Sequence, residues 1–169
     1  MSKLLLAKNQ MDDQTPKKCW EAILKTIPFK PGEKVLEPAK GEGNLYNQLP
    51  AKVDKSWCEY KDGKDFFAYK GKVDTVITNP PYKERGENLV IPFIEKAMEV
   101  ADERVIMLLN HNCFLSLTPK RLAKWEDQGW GFTSLGIYNI KKWFGRYYLP
   151  TWEKGKPSII HYETTSYED

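Results

Sequence analysis

The sequence predicts an α/β protein built on a mostly parallel sheet. Three observations carry that expectation. Short β-branched runs alternate with stretches of helical periodicity along the chain. Two glycines follow the first of those runs, where a strand hands over to the next element. Three loops, "EPAKGEG", "EYKDGKDFF" and "NPPY", leave predicted strands at one edge, the edge at which open α/β sheets bind ligands.

The elements follow in order. "TPKKCWEAILKTI" begins with a Thr-Pro start signal and carries Trp20, Ile23, Leu24 and Ile27 at helical spacing, which predicts an amphipathic helix. A Pro/Gly turn precedes a short strand, "KVLE", and the glycine-bearing loop, from which "NLYNQL" is expected to open a helix. "SWCEY" reads as a second strand, "DFFAY" as a short third and "VDTVIT" as a fourth. "LVIPFIEKAMEVA" is helical in pattern, with Pro92 tolerated in the first turn. "RVIMLL" is a buried strand, and "TPKRLAKWEDQG" is a helix with proline near its start and glycine at its end. "FTSLGIYNI" and "SIIHYE" supply two more strands, expected to form an antiparallel pair.

A chain of 169 residues favours one domain with enough length to bury a core. The net charge of +3 does not by itself define a nucleic-acid partner. Its distribution says more. Between Pro119 and Lys156 there are eight Lys or Arg against three acids, interleaved with Trp125, Trp130, Phe132, Tyr138, Trp143, Phe144, Tyr147, Tyr148 and Trp152. Cations suit phosphates and flat rings stack on bases, so this segment reads either as a nucleic-acid face or as a solvated surface over an aromatic core. Cys19, Cys58 and Cys113 are odd in number and widely spaced, with no CxxC pair. That argues against a disulfide framework or a zinc site and for a reducing compartment. No run approaches the ~20 apolar residues of a membrane span, and the opening lacks a signal peptide. The expectation is a soluble, cytoplasmic protein that needs no metal. His111 and His161 lack partners at catalytic spacing and read as structural.

Three loops carry the chemistry. Gly41 and Gly43 let the backbone approach a ligand closely. A dinucleotide fingerprint would need a third glycine where Tyr46 stands, so NAD is disfavoured. Glu59 ends the second strand in the register where a carboxylate can accept both hydroxyls of a ribose. Asp65 followed by Phe66 can receive an adenine amino group and cover its ring. At Asn79-Pro80-Pro81-Tyr82, the Asn79 side-chain oxygen and the Pro80 carbonyl are two neighbouring acceptors, suited to the two hydrogens of a planar –NH2 group. Neither proline has an N–H to compete, and Tyr82 offers a flat face to a planar target.

In this order "EPAKGEG", Glu59, "KDFF" and "NPPY" resemble the class I S-adenosylmethionine-dependent methyltransferases of the NPPY, amino-methylating type, and are closest to the adenine-specific DNA methyltransferases. The similarity runs from about Thr15 to Leu109, and NPPY is its most specific part. It implies a Rossmann-like, seven-stranded, mostly parallel sheet with helices on both faces and an antiparallel last strand pair. It implies S-adenosylmethionine as cofactor, S-adenosylhomocysteine as product, and no metal. By position, Thr15, Glu37, Pro38, Ala39, Gly41 and Gly43 would hold the methionine moiety. Glu59 would hold the ribose, Tyr60 and Phe66 would pack the adenine, and Asp65 would bind its amino group. Asn79, Pro80, Pro81 and Tyr82 would present the target nitrogen, most simply N6 of adenine in DNA. Three departures stand out: Lys40 replaces a small residue, only five residues separate Glu59 from Asp65, and no separate target-recognition domain is evident within residues 1–169. The basic, aromatic segment would then read the substrate, with Trp143 or Phe144 stacking on an extruded base and Lys142 and Arg146 on phosphates, or a protein partner would supply recognition. The alternatives are an RNA base or a protein glutamine as acceptor, and an inactive subunit that binds nucleic acid.

Overall fold

The computed structural model describes residues 14–84, 87–141 and 145–165. Helix α1 (Lys17–Leu24) is followed by the parallel strands β1 (Lys34–Glu37), β2 (Asp54–Trp57) and β3 (Val73–Thr78). Two short antiparallel segments, β4 (Lys83–Glu84) and β5 (Glu87–Asn88), lead into helix α2 (Val90–Val100) and strand β6 (Ala101–Met107). Then come β7 (Leu109–Asn110), the single turn α3 (His111–Phe114), helix α4 (Pro119–Asp127) and the long strands β8 (Trp130–Tyr138) and β9 (Tyr147–Lys154).

Seven strands form the main sheet, in the order β2-β1-β3-β6-β9 with β7 and β8 also paired to β9. Ladders are parallel from β2 to β6 and antiparallel around β9. Trp152 pairs both Val105 and Phe132, so β6 and β8 flank β9 on opposite sides. Segments β6 and β7 meet β9 in one continuous register: Ile106 faces Thr151 and Leu109 faces Tyr148. The interruption falls where Met107 would face Pro150, which has no N–H to give the ladder. Beyond β2 the described chain adds no strand, so β2 is an edge.

Side chains alternate across the strands and divide the core in two. Val35, Ile77, Ile106 and Leu108 pack with Trp20 and Ile23 of α1 on one face. Leu36, Val76, Val105 and Met107 pack with Phe93, Ile94 and Ala97 of α2 and with Leu122 and Trp125 of α4 on the other. Each aliphatic or aromatic side chain so buried stabilises the fold by roughly 1.5–3 kcal/mol. Helix α4 is started by Thr118, whose hydroxyl accepts from the Arg121 N–H, with Pro119 at its first position.

Four expectations need correction. The second strand is Asp54–Trp57 instead of "SWCEY" and ends two residues before Glu59, which opens a 3-10 turn at Tyr60–Asp62. "NLYNQL" makes only a 3-10 turn at Tyr46–Gln48, because six residues between Gly43 and Pro50 leave no room for a stable helix. "DFFAY" is a 3-10 turn at Phe66–Ala68, capped by Asp65, whose Oδ1 accepts from the Phe67 N–H at 2.9 Å. "SIIHYE" is not a strand; β8 pairs with Tyr147–Lys154 instead. Pro150 disguises that strand in the sequence, since its lost N–H argues against a central position. The segment after Lys154 runs along the first residues of β8, where Ile159 N–H donates to the Phe132 carbonyl at 2.9 Å and Phe132 N–H to Ser158 Oγ at 3.0 Å. The Tyr162 hydroxyl then hydrogen-bonds Glu126.

At the amino edge of the parallel strands, Glu33 is 3% exposed. Its Oε1 accepts from Arg104 Nη2 at 2.5 Å and from Thr75 Oγ1 at 2.6 Å, and its Oε2 from Lys30 N–H at 2.7 Å. Burial pushes the carboxyl up, but Thr75, Lys30 and the Arg104 guanidinium outweigh it and hold it below the ordinary range. Removing one member strands a buried charge, so Arg104→Met should cost about 3–5 kcal/mol in urea unfolding. The double variant Glu33→Gln/Arg104→Met should recover most of that loss.

Candidate functional site

The site is built where β1, β2 and β3 end. Past β1 the chain turns at Gly41 (φ 53°) and Gly43 (φ 86°), conformations that side chains with a Cβ adopt only with strain. The Gly43 N–H donates to the Lys40 carbonyl at 2.9 Å and closes the turn. The side-chain amide of Gln14 sits against Gly41 where a Cβ would project, so the segment before α1 lies directly on the glycine loop. Asn44 Nδ2 ties the two together by donating to the Thr15 carbonyl at 3.1 Å.

Glu37 is 3% exposed, and its Oε2 is buried without a hydrogen-bond partner. Burial pushes its carboxyl up to about 8; the Tyr46 amide and Lys40 pull the other way, and Glu59 adds to the rise. Pro38 is buried, while Ala39 and Lys40 are half-buried. Lys40 turns away along the edge of β2, its Nζ 3.9 Å from the centre of the Trp57 ring, on which Lys64 Nζ also lies at 3.6 Å. The larger residue is thus accommodated by the indole and leaves Gly41 and Gly43 undisturbed.

Glu59 lies beside the glycine loop: its Oε2 accepts from the Gly41 N–H at 2.7 Å and its Oε1 from the Lys61 N–H at 3.2 Å. A carboxylate has about four lone-pair sites, so two backbone donors leave acceptor capacity for hydroxyls. The short spacing to Asp65 is resolved by a tight loop. Glu59 and Lys64 exchange backbone hydrogen bonds at 3.0 and 3.1 Å, with Gly63 at φ 73°, and this sets Asp65 immediately past the bridge without an intervening helix. Tyr60 is 63% exposed and presents a free ring. Phe66 does not: it is 3% exposed and packs on Phe93 with ring centres 4.8 Å apart, whereas Phe67 is 40% exposed. One ring meant for a ligand is thus spent on the core.

At the end of β3 the Asn79 amide is held from both sides. Its Nδ2 donates to Thr15 Oγ1 at 2.9 Å, and its Oδ1 accepts from the Tyr82 hydroxyl at 2.7 Å. Thr15 is 3% exposed, so the Asn79 amide is anchored to a buried partner. Pro80 is buried and Pro81 exposed. Tyr82 is turned inward and does not stand free as a stacking face: it packs on the α2 side of the core and its hydroxyl meets the Asn110 backbone N–H as well as the Asn79 side chain. Burial raises its hydroxyl well above the ordinary phenol range. Arg146 is exposed at the start of β9, beside β7, on this same edge of the sheet. Lys142, Trp143 and Phe144 lie outside the described residues.

The sequence did not single out three contributors to this edge. Gln14 covers Gly41, Asn110 holds Tyr82, and Thr78 buries an Oγ1 with no partner at the end of β3. Only Asn110 carried a signal, as the residue that caps α3 through Oδ1 to the Cys113 N–H at 2.9 Å. Among the described residues no group of His, Cys, Asp and Glu is arranged to hold a metal, and no helix is long and apolar enough to cross a membrane.

No protein-family model and no curated protein sequence matches the chain. Solved structures do. A Listeria monocytogenes protein assigned to the class I S-adenosylmethionine-dependent methyltransferases superimposes with a TM-score of 0.68 at 17% identity over 88% of this chain, which spans 64% of that protein's length. The Mtq2–Trm112 complex of E. cuniculi, responsible for methylation of the eRF1 translation termination factor, gives 0.62 at 18% identity over 85% of this chain and 99% of the other. Magnesium protoporphyrin IX methyltransferase of Synechocystis, with S-adenosylmethionine bound, gives 0.56 at 15% identity over 82% and 79%. The chain has the fold of class I S-adenosylmethionine-dependent methyltransferases.

Proposed function

We propose that this protein transfers a methyl group from S-adenosylmethionine to an exocyclic amino nitrogen, with N6 of adenine in DNA as its acceptor. The observation that carries the reading is Asn79, fixed by Thr15 at the carboxyl end of β3 in a methyltransferase fold, with its oxygen directed at Tyr82. The cofactor residues fit. Glu37 keeps a buried oxygen without a partner, suited to the α-ammonium group of the methionine moiety. The glycine loop permits close approach, Glu59 retains acceptor sites for ribose hydroxyls, and Tyr60 leaves a ring free for adenine. S-adenosylmethionine, when bound, supplies an electrophilic methyl sulfonium to an attacking amine.

The chain's own work is then positioning and electrostatics. An amide oxygen has two lone pairs, and the Tyr82 hydroxyl uses one on Asn79 Oδ1, leaving one for an amine hydrogen. In this orientation Thr15 Oγ1 takes the NH2 of the amide, which leaves Oδ1 for Tyr82 and the target. Partial negative charge at Oδ1, with the Pro80 carbonyl as second acceptor, orients the nitrogen lone pair and favours the positive charge that develops on it.

The test is transfer from labelled S-adenosylmethionine to unmethylated duplex DNA, RNA and protein extract in parallel, followed by nucleoside and amino-acid analysis. N6-methyladenine in DNA is the expected product. Label confined to RNA or protein would move the acceptor, and absence of label in all three despite bound cofactor would remove the activity.

A further inference from the structure

The edge of the sheet that carries the site is divided by charge. On the β1 and β2 side the loops carry Glu37, Glu42, Glu59, Asp62 and Asp65 together with Lys40, Lys61 and Lys64. On the other side, the only acids between Arg104 and Trp152 are Glu126 and Asp127, and both lie at the end of α4, which leads into β8 at the opposite edge. Lys120, Lys141 and Arg146 are exposed there, and none makes an ion pair among the described residues.

Aromatic rings sit among these cations. Tyr148 meets two residues of α3: Phe114 stacks on it with centres 4.3 Å apart and planes 17° apart, and His111 lies tilted against it at 6.2 Å and 40°. His111 is exposed, and so is Leu115, at 64%, one residue past α3. The chain entering β9 passes close by, since a Cβ on Gly145 would stand 4.0 Å from that of His111, and this brings Arg146 to the same place. The patch adjoins the acceptor loop directly, because Asn110, which caps α3, also meets the Tyr82 hydroxyl.

We infer that this acid-free half of the edge is the docking surface for a nucleic-acid strand, with Lys120, Lys141 and Arg146 on phosphates and the ring cluster of His111, Tyr148 and Phe114, extended by Leu115, under a base flanking the target. The inference rests on the proposed amino-methyltransferase reading for what happens to the strand, but not for its binding. Cations without acidic partners attract a polyanion, and exposed His111 beside the Phe114–Tyr148 pair offers a further flat ring a place to pack. The opposite half mixes its acids with Lys40, Lys61 and Lys64 and offers a polyanion no comparable acid-free run of cations.

The test measures binding of the full chain to a fluorescein-labelled DNA strand and its duplex across a salt series, with S-adenosylhomocysteine binding followed separately. Lys141→Glu and Arg146→Glu should each weaken DNA binding about tenfold and lower the salt slope by about one. His111→Ala should weaken it several-fold. Lys52→Glu, an equal charge change at the opposite edge, should change it less than about threefold, and none of the four should alter S-adenosylhomocysteine binding. Equal losses for Lys52→Glu and Arg146→Glu, no loss for either, or equally tight binding of polyglutamate would overturn the surface. If the binding pattern holds but no acceptor is methylated, the surface stands and the reaction falls. If protein is methylated and DNA is not bound, the surface falls and the reaction stands.

Discussion

Asn79→Ala should lower methyl transfer by about 10²–10³-fold, the usual loss when a group that meets developing charge is removed, while cofactor affinity stays within about threefold. The reason lies in what touches the side chain. Asn79 hydrogen-bonds Thr15 and Tyr82, so of the residues given to the cofactor it ties only Thr15, whose carbonyl remains held by Asn44. Loss of its two hydrogen bonds should cost the fold only about 1 kcal/mol each, and Tyr82 keeps the Asn110 backbone N–H. Asn79→Asp gives the sharper test. It keeps the acceptor toward the target and replaces the NH2 with an oxygen, to which the Thr15 hydroxyl can donate by rotating. Asp should therefore retain more activity than Ala. Initial rates and S-adenosylhomocysteine titrations of both variants check this; parallel loss of transfer and cofactor binding would make the loop structural.

The second large effect concerns Glu37. Its carboxyl is pushed up to about 8 in the folded protein, from an ordinary 4.5, by burial first of all. Between those values the folded state holds a proton that the unfolded chain has released, so folding takes a proton up. This contribution is fully present below about pH 4.5, declines as pH rises and is gone above about 8. Its ceiling is about 5 kcal/mol, at 1.36 kcal/mol per pH unit. Glu33 has the opposite sign but acts in a different window, because its lowered carboxyl loses its contribution only as pH falls below the ordinary range. Denaturant unfolding at pH 5.5 and 8.5 should therefore show wild type losing stability with rising pH. Glu37→Gln, which cannot ionise, should be nearly flat. Parallel curves for the two proteins would mean that Glu37 ionises normally.

Local patterns were enough for much of this protein. Helical periodicity located α1, α2 and α4, β-branched runs located β1, β3 and β6, and the spacing of Glu37, Gly41, Gly43, Glu59 and Asn79 brought them to one edge, because parallel strands in an α/β sheet all end there. These signals depend on neighbours close in the chain, which is why they are legible. Contacts between distant residues were not. Pro150 hid β9 because its effect on a ladder depends on which strand lies opposite, and Phe66 was claimed by Phe93. Tyr82 could be read as an exposed ring until Asn79 and Asn110 drew its hydroxyl inward. The sequence by itself determined which residues reach the carboxyl edge. Only the tertiary structure decided which way they face there, because a side chain's direction is set by the partners that satisfy it, and here those partners lie as far away in the chain as Thr15 from Asn79.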